Sequence, residues 1–317
     1  MTHLAQTFFL RPGAAPVQYI KEPLLQAYGV ELAIKRDDML HPVVSGNKWR
    51  KLKYNLLAAR EQGYRTLLSF GGAYSNHIHA LAGVGKQLDF TTIGVIRGES
   101  FVTDNSTLSY ASSCGMSLHF VDRATYRRRG DADYLAELQQ GFGHCYMLPE
   151  GGSNELAVLG VAELWQEVEE VFDYVYTAAG TGATAAGVIS AAPAVTEVRV
   201  IAVLKGAGFL RQEIAGYLNN TVETADWQLF DEYHFGRYAH LTPQLVAFMD
   251  RFEALHQIPL EPVYTAKMLY ALYDQVRSGL IPAGSRVLAI HTGGLQGRAG
   301  MELALQRLRK HPKYGYG

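Results

Sequence analysis

This sequence has few cysteines and almost no net charge. Cys114 and Cys145 are the only 2 cysteines among 317 residues, too few for a disulfide framework or a zinc site built from thiolates. The 29 basic and 30 acidic side chains give a formal net charge of -1. Such a balance produces no long-range field that would attract nucleic acid or an anionic membrane surface. We therefore expect no metal, no nucleic-acid partner and no membrane partner.

Long hydrophobic runs and linkers are missing as well. No stretch approaches the ~18 to 20 apolar residues that span a bilayer, and the start, MTHLAQTFFLRPG, lacks a basic segment followed by a long apolar core. There is no repeat, low-complexity tract or linker rich in Pro, Gly and Ser. We expect a cytoplasmic protein of one large or two associated domains, because 317 residues exceed the usual size of a single core.

What the sequence contains is an alternation of short apolar runs and longer amphipathic stretches. The runs predict strands at 31–35, 66–70, 91–96, 117–121, 174–178, 198–203 and 286–290. Apolar residues at helical spacing predict helices at 48–62, 77–85, 131–140, 155–170, 242–256 and 265–278. Strands that alternate with helices indicate an α/β fold, in which helices cover both faces of a mostly parallel sheet.

Glycine clusters follow several of the predicted strands, and one of them resembles an anion site. The segment Gly180-Thr181-Gly182-Ala183-Thr184 joins a strand to a helix. Free backbone amides, the helix N-terminus and the threonine hydroxyls would hold a phosphate there. The segment matches neither the Walker lysine loop nor the dinucleotide fingerprint. An ordinary tight turn is the alternative interpretation.

Lys48 and a downstream turn are the candidate chemical groups. Lys48 follows Val43, Val44 and Gly46, whose apolar surroundings would help a lysine lose its proton and attack an aldehyde. By itself it is more typical of a solvated lysine at a helix start. The segment Ser75-Asn76-His77 follows a Gly-Gly pair at a strand-to-helix turn, where Ser and Asn are also preferred helix caps.

Two further positions have both a structural and a functional interpretation. Tyr264 begins a predicted helix, and Thr292 follows a predicted strand. Either residue could be structural. His77 and His79 lie two residues apart, a spacing that does not place both on one face of a helix, so we assign no metal to them.

Seven motifs in order resemble one enzyme family. They are KRDD at 35–38, GNKxRKL at 46–52, SxGGxxSNH at 69–77, GGSN at 151–154, GTGAT at 180–184, PVY at 262–264 and HTGG at 291–294. Together they resemble the 1-aminocyclopropane-1-carboxylate deaminase and D-cysteine desulfhydrase family, pyridoxal-phosphate enzymes of fold type II with the tryptophan-synthase-β-like fold. The resemblance covers most of the chain.

The resemblance implies roles for the candidate residues. Lys48 would form the imine with pyridoxal 5'-phosphate, and Asn76 would donate a hydrogen bond to the phenolic oxygen. Residues 180–184 would hold the phosphate, and Ser75 with the amides around it would receive the substrate carboxylate. Lys48 is the leading base, with Ser75 or Tyr264 as alternatives. The implied substrate contacts are Ser75, Asn76, His77, Tyr238 and Tyr264.

Thr265 bears on which reaction of the family to expect. In the cyclopropane deaminases an acidic residue follows the PVY tyrosine, whereas this chain has Thr265. A hydroxyl from Thr265 or Thr292 would leave the pyridine nitrogen largely neutral, a weaker electron sink that suits α-proton removal and loss of a β-substituent. We expect a lyase that converts D-cysteine or a related amino acid to pyruvate and ammonia.

Two other functions stay open. One is cyclopropane-carboxylate deaminase, and the other is a non-catalytic sensor of an amino acid or of the cofactor. The family pattern is broken at Tyr74, where glutamine is usual, and at His79, where arginine is common. These two departures give the sensor slight support and put the substrate in doubt.

The resemblance also implies an arrangement of domains. Residues 1–49 and 151–317 would form a large cofactor domain, and residues 50–150 a small α/β domain. The site would lie in the cleft between them, and closure would exclude water from the reaction. A homodimer is expected from the resemblance alone.

Overall fold

The structure is a computed structural model that describes residues 8–9, 15–98, 105–219 and 223–310. Its strands form two separate sheets. The larger sheet has six strands: β1 (Val17–Ile20), β2 (Glu31–Lys35), β7 (Tyr174–Ala179), β8 (Glu197–Ala202), β9 (Trp227–Phe230) and β10 (Arg286–Ile290). Their order is β1-β2-β10-β7-β8-β9, and only β1 runs antiparallel to its neighbour.

The smaller sheet has four parallel strands in the order β5-β4-β3-β6. They are β3 (Thr66–Gly72), β4 (Thr91–Arg97), β5 (Ser117–Val121) and β6 (Tyr146–Leu148). Every predicted strand is present within one or two residues of its predicted ends. The strands that the sequence did not predict, β1, β6 and β9, have only three or four residues each, too few for a clear apolar run.

The helices follow the strands as the α/β pattern requires. They are α1 (Pro23–Ala27), α2 (Asn47–Glu61), α3 (Asn76–Gln87), α4 (Ser106–Ser113), α5 (Arg123–Arg127), α6 (Ala132–Phe142), α7 (Glu155–Ala162), α8 (Gly182–Ala191), α9 (Phe209–Leu218), α10 (Pro243–His256), α11 (Thr265–Arg277) and α12 (Glu302–Lys310). Short 3-10 helices lie at Asp37–Met39, Glu150–Gly152, Glu163–Glu167 and Leu295–Met301. No helix within the described ranges is long and apolar enough to cross a membrane.

One helix prediction was wrong in its extent. The helix expected at 155–170 ends at Ala162 and continues as the 3-10 helix Glu163–Glu167. Side chains of this turn are committed to ion pairs with α2 and β2. Glu163 accepts hydrogen bonds from Lys53 Nζ at 2.7 Å, and Glu167 accepts from Lys35 Nζ at 2.6 Å. These tertiary contacts outweigh the helical periodicity of the segment.

Helices cover both faces of each sheet, so the predicted α/β class is confirmed. On the larger sheet, Phe248 of α10 and Leu269 of α11 pack in one core, and Ile189 of α8 and Ile214 of α9 pack in the other. On the smaller sheet, α2, α3 and α4 cover one face, and α6 covers the other. The strands of the smaller sheet all lie between residues 66 and 148. The division of the chain at residues 50 and 150 stays a prediction.

Candidate active site

A cavity of about 700 Å³ lies at the carboxyl ends of strands from both sheets. Gly72 and Arg97 end β3 and β4, while Gly180 and Thr292 closely follow β7 and β10, and all four residues line the cavity. Parallel strands present their carboxyl ends at the same edge of a sheet, where ligands of α/β proteins gather. The fold therefore brings the loops of the two sheets together around one space.

Most of the predicted site residues meet in this cavity. Those that line it are Lys48, Ser75, Asn76, His77, Gly180, Thr181, Thr184, Tyr238, Tyr264 and Thr292. Gly182, Ala183 and Thr265 are buried and do not line it. Gly182 and Ala183 form the first turn of α8, so their backbone lies directly behind the phosphate loop.

The backbone around Gly46 positions Lys48. Gly46 has φ +63°, and a Cβ placed there would lie 1.9 Å from the Thr292 carbonyl oxygen. Its amide donates to the Asp37 carbonyl oxygen at 2.9 Å, and the Asn47 amide donates to the Thr292 carbonyl oxygen at 3.2 Å. Only glycine permits this close approach. The start of α2 is thereby held against the carboxyl end of β10.

Lys48 is a partly buried wall residue and not the solvated lysine of the alternative interpretation. Its Nζ lies 3.3 Å from the Gly151 carbonyl oxygen. Burial lowers the pKa of Lys48 to about 8, against the opposing influence of the Glu150 carboxylate. A lysine with this pKa is partly unprotonated near neutral pH and is therefore a competent nucleophile toward an aldehyde.

An ion-pair cluster that the sequence reasoning missed anchors the same helix. Arg50 donates to Asp37 through Nε at 2.6 Å and Nη2 at 2.8 Å, and also to Glu167. Lys35 lies 3.1 Å from the same aspartate. The pairing holds the pKa of Asp37 below its usual range despite complete burial. The KRDD motif therefore acts by fixing α2, whose first turn carries Lys48.

The turn before α3 combines capping with a place in the cavity wall. Ser75 is the N-cap of α3, and its Oγ accepts a hydrogen bond from the Ile78 amide at 3.3 Å. Asn76 Oδ1 accepts from Gln296 Nε2 at 2.7 Å. Both side chains also line the cavity. The structural and functional interpretations of this turn are therefore compatible.

His77 is a buried, neutral residue of the cavity wall. Ser69 Oγ donates to the Leu148 carbonyl oxygen at 2.9 Å, so at 2.8 Å it accepts from His77 Nε2. His77 Nδ1 has no hydrogen-bond partner among the described residues. Burial and the nearby lysines, Lys48 and Lys51, hold the pKa of His77 well below its usual range. The ring therefore offers an acceptor and not a charge.

His79, unlike His77, does not line the cavity. Its ring stacks on Tyr110 with centroids 4.1 Å apart. The reason is helical geometry, since residues two apart on a helix point in different directions. No group of three or more His, Cys, Asp or Glu side chains suited to a metal occurs in the part of the chain that is described.

The predicted phosphate loop has the features of an anion site. Thr181 is the N-cap of α8 and makes no side-chain capping bond, so the first amides of the helix are free of it. Thr184 Oγ1 accepts from Asn47 Nδ2 at 2.9 Å. Thr181 Oγ1 accepts from Ser153 Oγ at 2.8 Å, and Ser153 accepts in turn from Lys51 Nζ at 2.7 Å.

Lys51, to which the sequence analysis gave no role, lies behind this loop. It is completely buried, and among the described residues Ser153 Oγ is its hydrogen-bond partner and no carboxylate pairs with it. Burial, together with the charge of Lys48, lowers its pKa well below the usual value. Because a buried ammonium group without a carboxylate partner is costly, this shift favours the neutral amine, and an anion nearby would favour the charged form. Its spacing of three residues from Lys48 was the available signal.

Two residues of the PVY segment, Val263 and Tyr264, line another part of the cavity. Tyr264 Oη donates to Tyr238 Oη at 3.3 Å, and burial raises the pKa of Tyr264 well above its usual value. Glu261, which the sequence analysis did not identify, lines the cavity at its buried edge. Its carboxylate accepts from the Val263 amide at 2.8 Å and the Tyr264 amide at 2.6 Å. Burial raises its pKa to about 7.

The two threonines proposed for the ring nitrogen are in different places. Thr265 Oγ1 donates to the Glu261 carbonyl oxygen at 3.0 Å and accepts from the Glu261 amide at 2.8 Å. Its hydroxyl proton is thus used inside the turn that begins α11, and the side chain does not reach the cavity. Thr292 lines the cavity. Of the two, Thr292 is positioned to meet a ligand.

Comparisons with known proteins identify the family of this chain. A family model described as pyridoxal-phosphate dependent enzyme matches residues 10–293. A Pyrococcus horikoshii protein, provisionally named a 1-aminocyclopropane-1-carboxylate deaminase, is 30% identical over 302 residues, covering 91% of each chain. The D-cysteine desulfhydrase of Salmonella schwarzengrund is 30% identical over 311 residues, covering 88% of this chain and 91% of that protein.

A solved structure shows the same fold. The crystal structure of an ACC deaminase homologue superposes with a TM-score of 0.82 at 27% identity, covering 94% of this chain and 95% of the other. The predicted fold type and the predicted cofactor are both confirmed by these matches. This chain belongs to the family of pyridoxal-phosphate-dependent enzymes.

Proposed function

We propose that this enzyme is a β-elimination lyase that converts D-cysteine or a related small amino acid to pyruvate, ammonia and the leaving group. One observation carries the proposal: a lysine with a pKa lowered to about 8, Lys48, shares a cavity with the helix N-terminus at Thr181. A nucleophilic amine and an anion site in one cavity fit an aldehyde cofactor that bears a phosphate. The desulfhydrase relative supports the choice of substrate.

The residues present fit the cofactor. We propose that the amides and hydroxyls of Gly180, Thr181, Gly182, Ala183 and Thr184 hold the phosphate. We propose that Lys51, which is linked to them through Ser153 and Thr181, takes a proton and balances the charge of the phosphate when the cofactor binds. We propose that Asn76 donates to the phenolic oxygen and that Thr292 meets the ring nitrogen, because both line the cavity. The cofactor, when bound, acidifies the α-proton of the amino acid attached to it.

The side chains around that α-carbon bind the substrate and move protons. We propose that the free N-terminal amides of α3 and Ser75 receive the substrate carboxylate. Lys48 would take the α-proton as a free amine, with Ser75 or Tyr264 as the alternative bases. His77 and the Tyr238–Tyr264 pair complete the substrate wall.

The residues proposed to lie near the ring nitrogen, Thr292 and Glu261, favour elimination over cyclopropane ring opening. A hydroxyl from Thr292 would leave the nitrogen largely neutral. Glu261 is a buried acid in the cavity wall, but both of its oxygens accept backbone amides of its own turn. Because that carboxylate is committed to Val263 and Tyr264, we do not assign it to the ring. The cyclopropane deaminase stays as the alternative, supported by the name of the Pyrococcus relative.

Two measurements test the proposal. The first is a screen of pyruvate release from D- and L-cysteine, β-chloroalanine and serine, beside 2-oxobutyrate release from 1-aminocyclopropane-1-carboxylate. Faster 2-oxobutyrate release would favour the deaminase, and spectral shifts without any turnover would favour a sensor. The second is Lys48→Ala, which we expect to abolish the visible absorption of the bound cofactor and to reduce turnover by ~1000-fold or more. Retention of that absorption would contradict the proposal.

The assembly is a separate part of the proposal. We propose that residues 1–49 and 151–317 form a cofactor domain that closes on a domain of residues 50–150. We also propose a cytoplasmic homodimer, on the strength of the family resemblance. Sedimentation of the cofactor-loaded protein at several concentrations tests the dimer.

A further inference from the structure

We infer that Arg97 is a specificity-determining residue that gives this cavity a preference for amino acids with an anionic group on the β-carbon. A β-sulfonate or a β-carboxylate is the chemical class that fits. The inference rests on the proposed function, because it concerns the substrate of the same site. No motif of the sequence pointed to Arg97.

The position of Arg97 is set by the pairing of two strands. It is the last residue of β4 and pairs in register with Gly72, the last residue of β3. A Cβ placed at Gly72 would lie 3.3 Å from Arg97 Nη2. The guanidinium group therefore lies across the end of β3, beside the turn that leads through Ser75 into α3. It lines the cavity next to the expected carboxylate site.

Arg97 has a positive charge that the described part of the protein does not neutralise. Among the described residues it contacts the Tyr126 ring, with the guanidinium carbon 5.4 Å from the ring centroid. The other arginine of the cavity wall, Arg129, donates to Glu150 at 2.6 Å. Glu150 also accepts from Tyr126 Oη at 2.7 Å. Glu150 is thus already paired, which leaves Arg97 available to a ligand.

A second donor faces the same space. Tyr238 lines the cavity, is 44% exposed, and accepts from Tyr264 Oη. The proton of its own hydroxyl is therefore available to a ligand. The charge of Arg97 acts on this phenol and lowers its pKa, although burial raises that pKa overall. An anionic group between Arg97 and Tyr238 would receive charge-assisted hydrogen bonds from one side and a phenolic hydrogen bond from the other.

Elimination from a β-sulfonate balances without an added oxidant or reductant. The α-proton leaves to the base, its electron pair forms the Cα–Cβ double bond, and the Cβ–S pair departs with sulfite. One water then hydrolyses the enamine. Cysteate and one water thus give pyruvate, ammonia and sulfite. A β-carboxylate would bind in the same place without leaving.

Kinetics of substrate preference test the inference. The holoenzymes of wild type, Arg97→Gln, Arg97→Lys and the control Arg127→Gln are compared on cysteate and cysteine of both configurations. Arg127 is exposed, lies on the neighbouring helix α5 and does not line the cavity. We expect Arg97→Gln to lower kcat/KM for cysteate by ~10- to 100-fold and for cysteine by less than about threefold. Arg97→Lys should fall between, and the control should match wild type.

Other outcomes would overturn the inference. Equal losses on cysteate and cysteine would mean that Arg97 binds the α-carboxylate common to both, and no loss on either would mean that it binds neither. Spectral titration of the bound cofactor with aspartate and alanine decides the matter even without turnover. Tighter binding of aspartate by wild type, lost in Arg97→Gln, supports the inference, and equal binding overturns it. Absence of pyruvate from every amino acid would refute the proposed elimination separately.

Discussion

The two walls of the cavity are built differently. The wall from the larger sheet includes Gly180, Thr181 and Thr184 around the start of α8, with the buried Lys51 behind them. The wall from the smaller sheet has charged side chains at its rim, among them Arg97 and Arg129. Backbone amides on the first wall suit a cofactor, which is the same in every turnover. Long side chains on the second wall suit a substrate, whose side chain can vary. The comparison separates cofactor binding from substrate choice.

The backbone at Gly46 joins the two walls, and a substitution there should have the greatest effect on stability. We expect Gly46→Ala to destabilise the protein by about 3 kcal/mol or more, because the new Cβ would combine strain at φ +63° with a clash against the Thr292 carbonyl. Urea unfolding measures this loss. Gly63→Ala is the matched control, since Gly63 follows α2 with φ +80° and a Cβ placed there would have nothing within 4 Å. Similar losses for both variants would contradict the clash.

Lys51→Met tests whether the buried cation serves the cofactor phosphate. Without cofactor, we expect the variant to be as stable as wild type or up to ~1 kcal/mol more stable, because it removes a buried amine that has no carboxylate partner among the described residues. Affinity for pyridoxal phosphate should fall ~10- to 100-fold, while affinity for pyridoxal should change little. Thermal unfolding and absorbance titration measure the two effects. Lys53→Met, which removes a cation paired with Glu163 outside the cavity, is the control.

The pH dependence of cofactor uptake tests whether the pKa of Lys48 is lowered by burial. Only the neutral amine attacks an aldehyde, so the rate should rise about tenfold per pH unit below the pKa and level off above it. With the pKa of Lys48 lowered to about 8, the plateau should begin near that pH and well below the ordinary pKa of a lysine. Stopped-flow absorbance of the cofactor-free protein gives the profile, with a free lysine derivative as reference. A profile that matches the free derivative would show that Lys48 is solvated.

The smallest expected effect concerns the rim of the smaller sheet. Arg129 and Glu150 form a partly exposed ion pair, so Arg129→Gln should cost less than about 1 kcal/mol of stability. It leaves the Glu150 carboxylate without its cation, which would repel an anionic substrate. We expect a loss of a few-fold in kcat/KM for cysteate and a smaller change for cysteine. Unfolding of the variant at moderate temperature would mean that this wall is structural.

Local sequence patterns predicted much of the fold and part of the site. The predictions of seven strands and of the glycine loops after them were correct, because these features depend on short apolar runs and turn residues. Thr265 shows that a residue next to a cavity residue in sequence need not line the cavity. It follows Tyr264 directly, yet its hydroxyl donates to the Glu261 carbonyl oxygen within the turn. The predicted end of α7 was wrong for a related reason. Lysines distant in sequence, such as Lys53, bind the acidic residues that follow Ala162.

The order of the amino acids was enough to predict the candidate cofactor residues: a lysine after a glycine, a Ser-Asn turn, and a loop of small residues before a helix. Such features act through backbone conformation, which a few adjacent residues specify. The folded chain was needed to show that Lys51 lies behind that loop and that Arg97 lies at the cavity rim without a carboxylate partner among the described residues. The reason is physical, because burial and charge at a point depend on side chains from both sheets that are far apart in the chain.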